Sequence, residues 1–463
     1  MTAVAPKDAL AGLLKLAGHP ADALAAVELT GAEPALPSSF AVGTAAQTSI
    51  AASALAANEL WRLRTGRRQR VSVAMRDAAI EFRSERYMRV DGKPVGESWD
   101  KIAGLYRSGD GRFVRLHTNF PHHRDGMLKL LGCDYDRAAV QKALDGWEAE
   151  KFETAAAEAG LVATATRSFA EWDAHLQGQA VANLPLFSIE RIGDAPAKPL
   201  PKGDRPLSGV KVLDLTRVIA GPVCGRTLAV HGADVMLITG PHLPSIPPLV
   251  VDSGRGKLSA SIDLRGPQGR DTLAELLRDA DIFVQGYRPG AIASHEFGPE
   301  AVAALKPGIV YVTLSAYGHT GPWAKRRGFD SLVQNANGLN IAEAEAFGAA
   351  QPKPLPAQAI DHASGYLLAF GAMTALARRA TEGGSWHVRV SLAQTGQWLR
   401  GLGRIDGIKA HDRDLADVAD RIEESASGFG KLTAVRHSAV MSETPPRWER
   451  PSVPLGTHPP AWP

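Results

Sequence analysis

The stretch Pro-Ala-Gln-Ala-Ile-Asp-His-Ala-Ser-Gly, residues 356–365, sets one carboxylate, Asp361, at the mouth of an apolar helix expected over residues 364–379. The N–H groups and dipole of a helix N-terminus favour an anion by ~0.3–1 kcal/mol at a surface and up to ~2 kcal/mol when partly buried. A carboxylate kept ionised in a dry pocket can act as a covalent nucleophile toward an acyl group. Asp is also among the strongest N-cap residues, and capping alone suffices to place it there.

A second copy of the segment bears on that choice. Residues 45–60 form an alanine-rich helix followed by Arg64-Thr-Gly-Arg-Arg-Gln-Arg-Val-Ser-Val-Ala-Met75. Residues 363–379 form a similar helix followed by Thr381-Glu-Gly-Gly-Ser-Trp-His-Val-Arg-Val-Ser-Leu392. Pairing Val73 with Val390 sets an offset of 317 positions, which lays Asp361 on Thr44. Threonine caps helices as well. Capping is thus served in both copies and the carboxylate occurs in one, which leans toward chemistry at Asp361.

The elements that must position this residue follow a proline-rich joint, residues 195–206, of the kind that makes a semi-rigid spacer. After it, strands are expected at 210–215, 234–238, 259–264, 282–285 and 309–315, with helices near 224–231 and 269–278. Strands alternating with helices imply a Rossmann-like, mainly parallel sheet with helices on both faces, an α/β fold. Ligands of such sheets sit where loops leave the carboxyl ends of the strands. The loops in question are 217–222, 286–290 and 316–322. None is GxGxxG or GxxxxGK[ST], so no dinucleotide or P-loop fingerprint is present. Their glycines and prolines also fit plain turns.

At 463 residues the chain calls for two or three domains. With 22% charged residues, a net charge of +3 and 6% aromatics, no nucleic-acid footprint stands out. Cys133 and Cys224 have no metal-ligand or redox spacing and fit a reducing compartment. No run of ~18 apolar residues and no charged-then-apolar leader is found, so the expectation is a cytoplasmic protein without membrane attachment. From residue 425 the chain is rich in Pro, Gly, Ser and Trp, and reads as a strap anchored by Trp448 and Trp462 or as a disordered tail.

Taken in order, several pieces carry a resemblance. They are Leu207-Ser-Gly-Val-Lys-Val-Leu-Asp-Leu through Ala220-Gly-Pro222, Leu228-Ala-Val-His-Gly-Ala-Asp-Val235, and Arg255-Gly-Lys257 before Ile262-Asp-Leu264. Ala280-Asp281, Tyr287-Arg-Pro-Gly290, residues 307–314, Tyr317-Gly318 with Gly321-Pro322, Gly328-Phe-Asp330 and the Asp361 helix follow. Over residues 207–400 the chain resembles the family III CoA-transferases, the CaiB/BaiF group. Residues 45–78, 106–118, Ser168-Phe-Ala-Glu-Trp172 and Leu184-Pro-Leu186 resemble that family's other half, so the two halves run in permuted order. The expected organisation is an N-terminal helical segment (1–80) resembling a degenerate copy of the catalytic helix region, and a smaller α+β domain (81–194). A linker (195–206), a Rossmann-like CoA-binding catalytic domain (207–400) and a C-terminal strap (401–463) follow.

The resemblance implies transfer of coenzyme A between an acyl-CoA and a small carboxylic acid. Asp361 would attack the thioester to give a mixed anhydride, the released thiolate would return to form an aspartyl thioester, and the incoming acid would take over the CoA. Coenzyme A is then substrate and acyl carrier, and no metal is called for. The resemblance further implies a homodimer, interlocked in single-length members. Val218 and Ala220 match the family's CoA loop, Tyr287 and Arg288 an aromatic-basic pair near the nucleotide, Arg327 a phosphate contact and Phe329 a ring bordering adenine or pantetheine. Lys257, like Arg255, would supply a point charge or fork for phosphate. Solvated surface charge is the other reading for Arg255, Lys257 and Arg327. Asp330 would either orient the active loop or cap a helix starting at Ser331.

Departures from the pattern open alternatives. The family's racemases carry a His where Phe329 stands, and a proton shuttle needs a second acid/base group. His319 and His362 are the substitutes near in sequence. Ile219 replaces a Gln and Gly286 an Asn of well-known transferases, and residues 90–96 are the nearest match to their lid loop. An acyl-CoA racemase/epimerase or CoA-dependent lyase on the same scaffold, and a non-catalytic CoA-binding subunit, therefore stand beside the transferase.

Overall fold

The structure, a computed structural model, describes residues 3–97 and 99–463. A first unit is built by β1 (Val27–Thr30), α1 (Val42–Thr65) and β2 (Val71–Ala74), with β1 and β2 parallel and Leu29 opposite Val73. The short helix α2 (Ser84–Tyr87) and strand β3 (Arg89–Val90) lead to the smaller domain. That domain is an antiparallel sheet of β4 (Gly104–Arg107), β5 (Phe113–Leu116) and β6 (Ala163–Ala165), flanked by helices such as α3 (Pro121–Leu131). Ile102, Val114, Leu116, Met127, Leu144 and Phe152 give it a core of its own.

The seven-stranded sheet follows the alternation read from the sequence. Its members are β7 (Phe187–Gly193), β8 (Lys211–Leu215), β9 (Asp234–Thr239), β10 (Lys257–Ser261), β11 (Ile282–Gln285), β12 (Val310–Ser315) and β13 (Ser385–Ser391). They lie in the order β10-β9-β8-β11-β12-β13-β7. All neighbours are parallel except β7, which runs antiparallel to β13. This edge strand comes from the segment expected to close the smaller domain, where no strand was foreseen. One face is covered by α4 (Ala220–Val230) and by α6 (Ala359–Glu382), to which α5 (Asp330–Ala336) leads. Helices Pro267–Asp279 and Pro299–Leu305 cover the other, over Leu213, Met236, Phe283 and Tyr311.

The repeat at offset 317 is structural. Helices α1 and α6 are both 24 residues long, start 317 positions apart, and leave Ala41 and Gln358 at φ −75° with ψ 60° and 61°. The helices after β2 and β13, starting at Met75 and at Leu392, keep the same offset. The first unit, β1-α1-β2, thus repeats the β12-α6-β13 unit, and α1 and α6 pack against each other. Their many Ala and Gly residues allow close approach on several sides. A Cβ on Gly365 would lie 2.6 Å from the Ala220 carbonyl oxygen, so only glycine fits where α6 crosses the start of α4.

The tail is ordered, not loose. Strands β14 (Ile422–Ser427) and β15 (Gly430–Val435) join β3, and β16 (Ala439–Met441) pairs antiparallel with β2. The indole N–H groups of Trp448 and Trp462 donate to the Arg226 and Leu276 carbonyls, each at 3.1 Å. Among the described residues no helix is long and apolar enough to cross a membrane, and none forms a group of three or more His, Cys, Asp or Glu that could hold a metal ion.

Candidate active site

Helix α6 begins at Ala359, five residues before the sequence suggested, so Asp361 is inside its first turn rather than at the cap. The cap comes from far along the chain. Asp330 Oδ2 accepts the Asp361 N–H at 2.9 Å, and Gln334 donates to Asp330 Oδ1. Asp330, the first residue of α5, therefore orients the start of α6 and does not cap a helix at Ser331. Asp361 is 6% exposed and Asp330 1%.

The electrostatic expectation is reversed. Burial, then the neighbouring Asp330 and Glu85 carboxylates, push the Asp361 carboxyl well above its ordinary range. Burial also lifts Asp330 to about 6, against the lowering pull of the N–H groups it accepts. A helix N-terminus is worth at most ~2 kcal/mol. Full burial beside a like charge can outweigh that by several-fold. The site thus holds two buried carboxyl groups, both raised above the ordinary carboxylate range.

A cavity of about 410 Å³ opens at the carboxyl ends of β8, β11 and β12. It is lined by the post-β8 loop (Val218, Ile219, Ala220), the post-β11 loop (Gly286, Tyr287, Arg288), and Arg327, Phe329 and Asp361. Of the sequence-chosen residues, these seven come together: Val218, Ala220, Tyr287, Arg288, Arg327, Phe329 and Asp361. Lys257 does not. Its Nζ is buried against Asp214 Oδ2 and the Pro222 carbonyl, each at 2.8 Å, because β10 sends it inward under α4. It is a structural ion pair, as is Arg255, held by Asp252 and the Val435 carbonyl with its guanidinium 4.0 Å from the Trp448 ring.

The sequence reading missed Arg217, Arg265, Arg326, His122 and His123 in the lining. Arg217 was adjacent to a chosen loop and its guanidinium lies 4.6 Å from the Phe120 ring. The histidines arrive on α3 of the smaller domain, which no local spacing could foretell. Five arginines face this cavity against one carboxylate, Asp361, so it suits a ligand carrying phosphates. Val218, a β-branched residue, is held at φ 75°, a costly conformation that gathers at ligand-binding loops.

A second cavity, about 390 Å³, adjoins the first and shares Val218, Ile219, Phe329 and Asp361 with it. Glu85, Arg86, Trp99 and His117 complete its walls. The His117 ring stacks on Phe329 with centroids 3.8 Å apart. Burial, aided by Arg115, drops His117 to about 3, and it is a neutral imidazole. The sequence-near substitutes lie elsewhere. His319 is exposed, and His362 is buried with Nε2 3.2 Å from Glu85 Oε2. Residues 90–96 line neither cavity; Glu97 and Trp99, just beyond, line the second.

Residues 207–406 match CoA-transferase family III. An acetyl-coenzyme A transferase, nodX, of Hypoxylon pulicicidum is 31% identical over 334 residues, covering 66% of this chain and 55% of that protein. A probable fatty acyl-CoA transferase of Mycobacterium tuberculosis is 32% identical over 201 residues, covering 41% of this chain and 50% of that one. The succinyl-CoA:glutarate CoA-transferase of Homo sapiens is 34% identical over 147 residues, covering 29% and 34%. The chain spans about half the length of the first two. The strands, the strand-end loops and the Asp361 helix all lie inside residues 207–406, the stretch that matches CoA-transferase family III.

Proposed function

We propose that the chain transfers coenzyme A from an acyl-CoA to a carboxylic acid through Asp361. The observation that carries this reading is the position of Asp361, a carboxylate at the junction of an arginine-lined cavity and a second cavity beside it. The nucleotide and pantetheine would occupy the first, with Val218, Ala220, Tyr287, Arg288, Arg327 and Phe329 around them. Ionised Asp361 attacks the thioester carbonyl and expels the CoA thiolate, leaving a mixed anhydride. The thiolate then attacks the aspartyl carbonyl, releasing the first acid and leaving an aspartyl thioester. The incoming carboxylate reverses both steps and restores Asp361. Every step exchanges one acyl bond for another, so the protein's work is to position groups and keep water away. A buried carboxyl with a raised pKa is a stronger nucleophile once ionised.

The permuted order is part of this reading, supported by a first unit that repeats the β12-α6-β13 unit ahead of the smaller domain. Incubation with an acyl-CoA followed by hydroxylamine or mass spectrometry should find a label on Asp361, absent from D361N. A label elsewhere, or none with transfer intact, overturns the assignment. A second reading, α-proton exchange of an acyl-CoA, draws on His117, which brings an imidazole against Phe329 in a cavity shared with Asp361. Deuterium entering the α-carbon without acyl exchange would select it. CoA binding with neither activity would select the non-catalytic subunit.

A further inference from the structure

Asp361 must lose a proton before it can attack, and the residue is only 6% exposed. Burial and the like charges of Asp330 and Glu85 hold that proton in place. Passing it to bulk water would add a charge to an enclosed site, whereas passing it to a neighbouring carboxylate only moves one. Two carboxyl groups stand beside it. Asp330 is 1% exposed, and its two oxygens already accept N–H groups from Asp361 and Gln334. Glu85 is the freer acceptor.

Glu85, on α2, shares the second cavity with Asp361. His362, the residue after Asp361, sets its Nε2 3.2 Å from Glu85 Oε2. The His362 ring is buried against Phe82, with centroids 5.4 Å apart, and its Nδ1 is enclosed without a partner. A proton on Nδ1 would be a buried donor lacking an acceptor, so the ring hydrogen belongs on Nε2 and is donated to Glu85. One helical turn thus carries both the nucleophile and the group that fixes Glu85. Among the described residues the other oxygen, Oε1, makes no hydrogen bond, and the one cation within 4.0 Å of it is Arg86, with Nε at 3.9 Å. The Arg86 side chain is 41% exposed, so water screens that pair. Glu97 and the neutral imidazole of His117 face the same cavity from the smaller domain. Behind α2, Ser84 meets Arg226 and Asp252, which pair with each other at 2.7 Å.

We propose that Glu85 holds the proton of Asp361 while the nucleophile works, and that His362 positions Glu85 for that task; both act through Asp361. The inference rests on the transfer reading above. The Asp361 carboxyl gives its proton to Glu85 Oε1, directly or through one water, which leaves Asp361 ionised and Glu85 neutral. Asp361 then attacks the thioester carbonyl. When the last acyl exchange frees its carboxylate, the proton returns from Glu85. No proton is gained or lost over the cycle, and the count of charges in the cavity stays the same during the swap.

The test measures acyl exchange by the full chain between succinyl-CoA and glutarate from pH 5 to pH 9. E85Q removes the acceptor and one repelling charge together, so its acidic limb should move to lower pH while its plateau kcat falls ~100-fold. A limb that moves with the plateau intact is a charge effect alone and overturns the proposal. E85D keeps a carboxylate and should stay within ~10-fold of the parent. In E85A, added azide should restore the plateau by ~10-fold, as an external base does, and should do nothing for D361N; an E85A rate indifferent to azide overturns the proposal. H362Q, whose amide can still donate to Glu85, should lose less than H362L. Calorimetric CoA binding equal to the parent's shows that a variant is folded. Where E85Q fails that check, the two His362 variants decide, and equal plateaus overturn the proposal. A label trapped on Asp361 with an undiminished E85Q plateau removes Glu85 and leaves the transfer chemistry standing. A parent never labelled on Asp361 sinks the transfer reading itself.

Discussion

The two β-α-β units use one device for two ends. In the first, Glu33 Oε1 accepts the N–H of Thr44, the third residue of α1, at 2.6 Å. In the second, Asp330 Oδ2 accepts the N–H of Asp361, the third residue of α6, at 2.9 Å. A carboxylate from outside the helix thus satisfies an orphan donor in both copies. Where the capped residue is threonine, the arrangement is complete and lines neither cavity. Where it is aspartate, a second carboxyl is forced against the first, in the dark, beside two cavities. The difference shows that Asp361 is not there to hold the helix. The helix is held without it, and the acid is an added cost.

The largest break in that comparison should come from Asp361→Asn. Transfer should fall by ~10⁴-fold or more, as when a nucleophile is removed, measured by acyl exchange. The same variant should melt higher than the parent. The folded-state carboxyl is raised, so below the ordinary carboxylate range the two proteins should be alike. As pH climbs above that range the parent's unfolded state ionises while its folded state resists, and the variant's advantage should grow until the raised value is passed. Melting curves from pH 3 to pH 9 check the sign.

Thr44→Asp is the reciprocal change. It buries a second acid beside Glu33 and should lower stability by at least ~1–3 kcal/mol, increasingly so at higher pH, without creating a site that hydroxylamine can label. Denaturant titration and peptide mass mapping read both outcomes.

Asp330→Asn should sharpen the picture by a shift instead of a loss. With one repelling charge gone, Asp361 ionises more easily, and the acidic limb of kcat/KM should move to lower pH. A limb that stays put would mean that burial and Glu85 set it without Asp330. The smallest effect belongs to Glu33→Gln, which keeps an acceptor for the Thr44 N–H. A change of about 1 kcal/mol or less in stability is expected, with the Asp361 label unaltered.

Much of this was legible from residues. Five strands of the sheet, the loops at their ends and Asp361 all follow from apolar runs broken by glycine and proline, and the repeat shows in aligned alanines. The start of α6 was misread because its cap is Asp330, 31 residues upstream in chain and invisible to local rules. Lys257 was misread because a lysine near a glycine looks solvated until β10 turns it under α4. His117, His123 and Arg86 could not be placed at all. They belong to segments that meet Asp361 only after the smaller domain folds back on the sheet.

The tail has a consequence for how the molecule comes apart. Strand β16 completes the sheet of the first unit by pairing with β2, and a few residues later Trp448 is fastened to the Arg226 carbonyl of α4. The same short ribbon is therefore stitched into the first repeat and into α4, the helix that packs against α6 of the second. Pulling either one loose unzips the seam that secures its twin, so heating should show the two repeats lost in a single calorimetric peak.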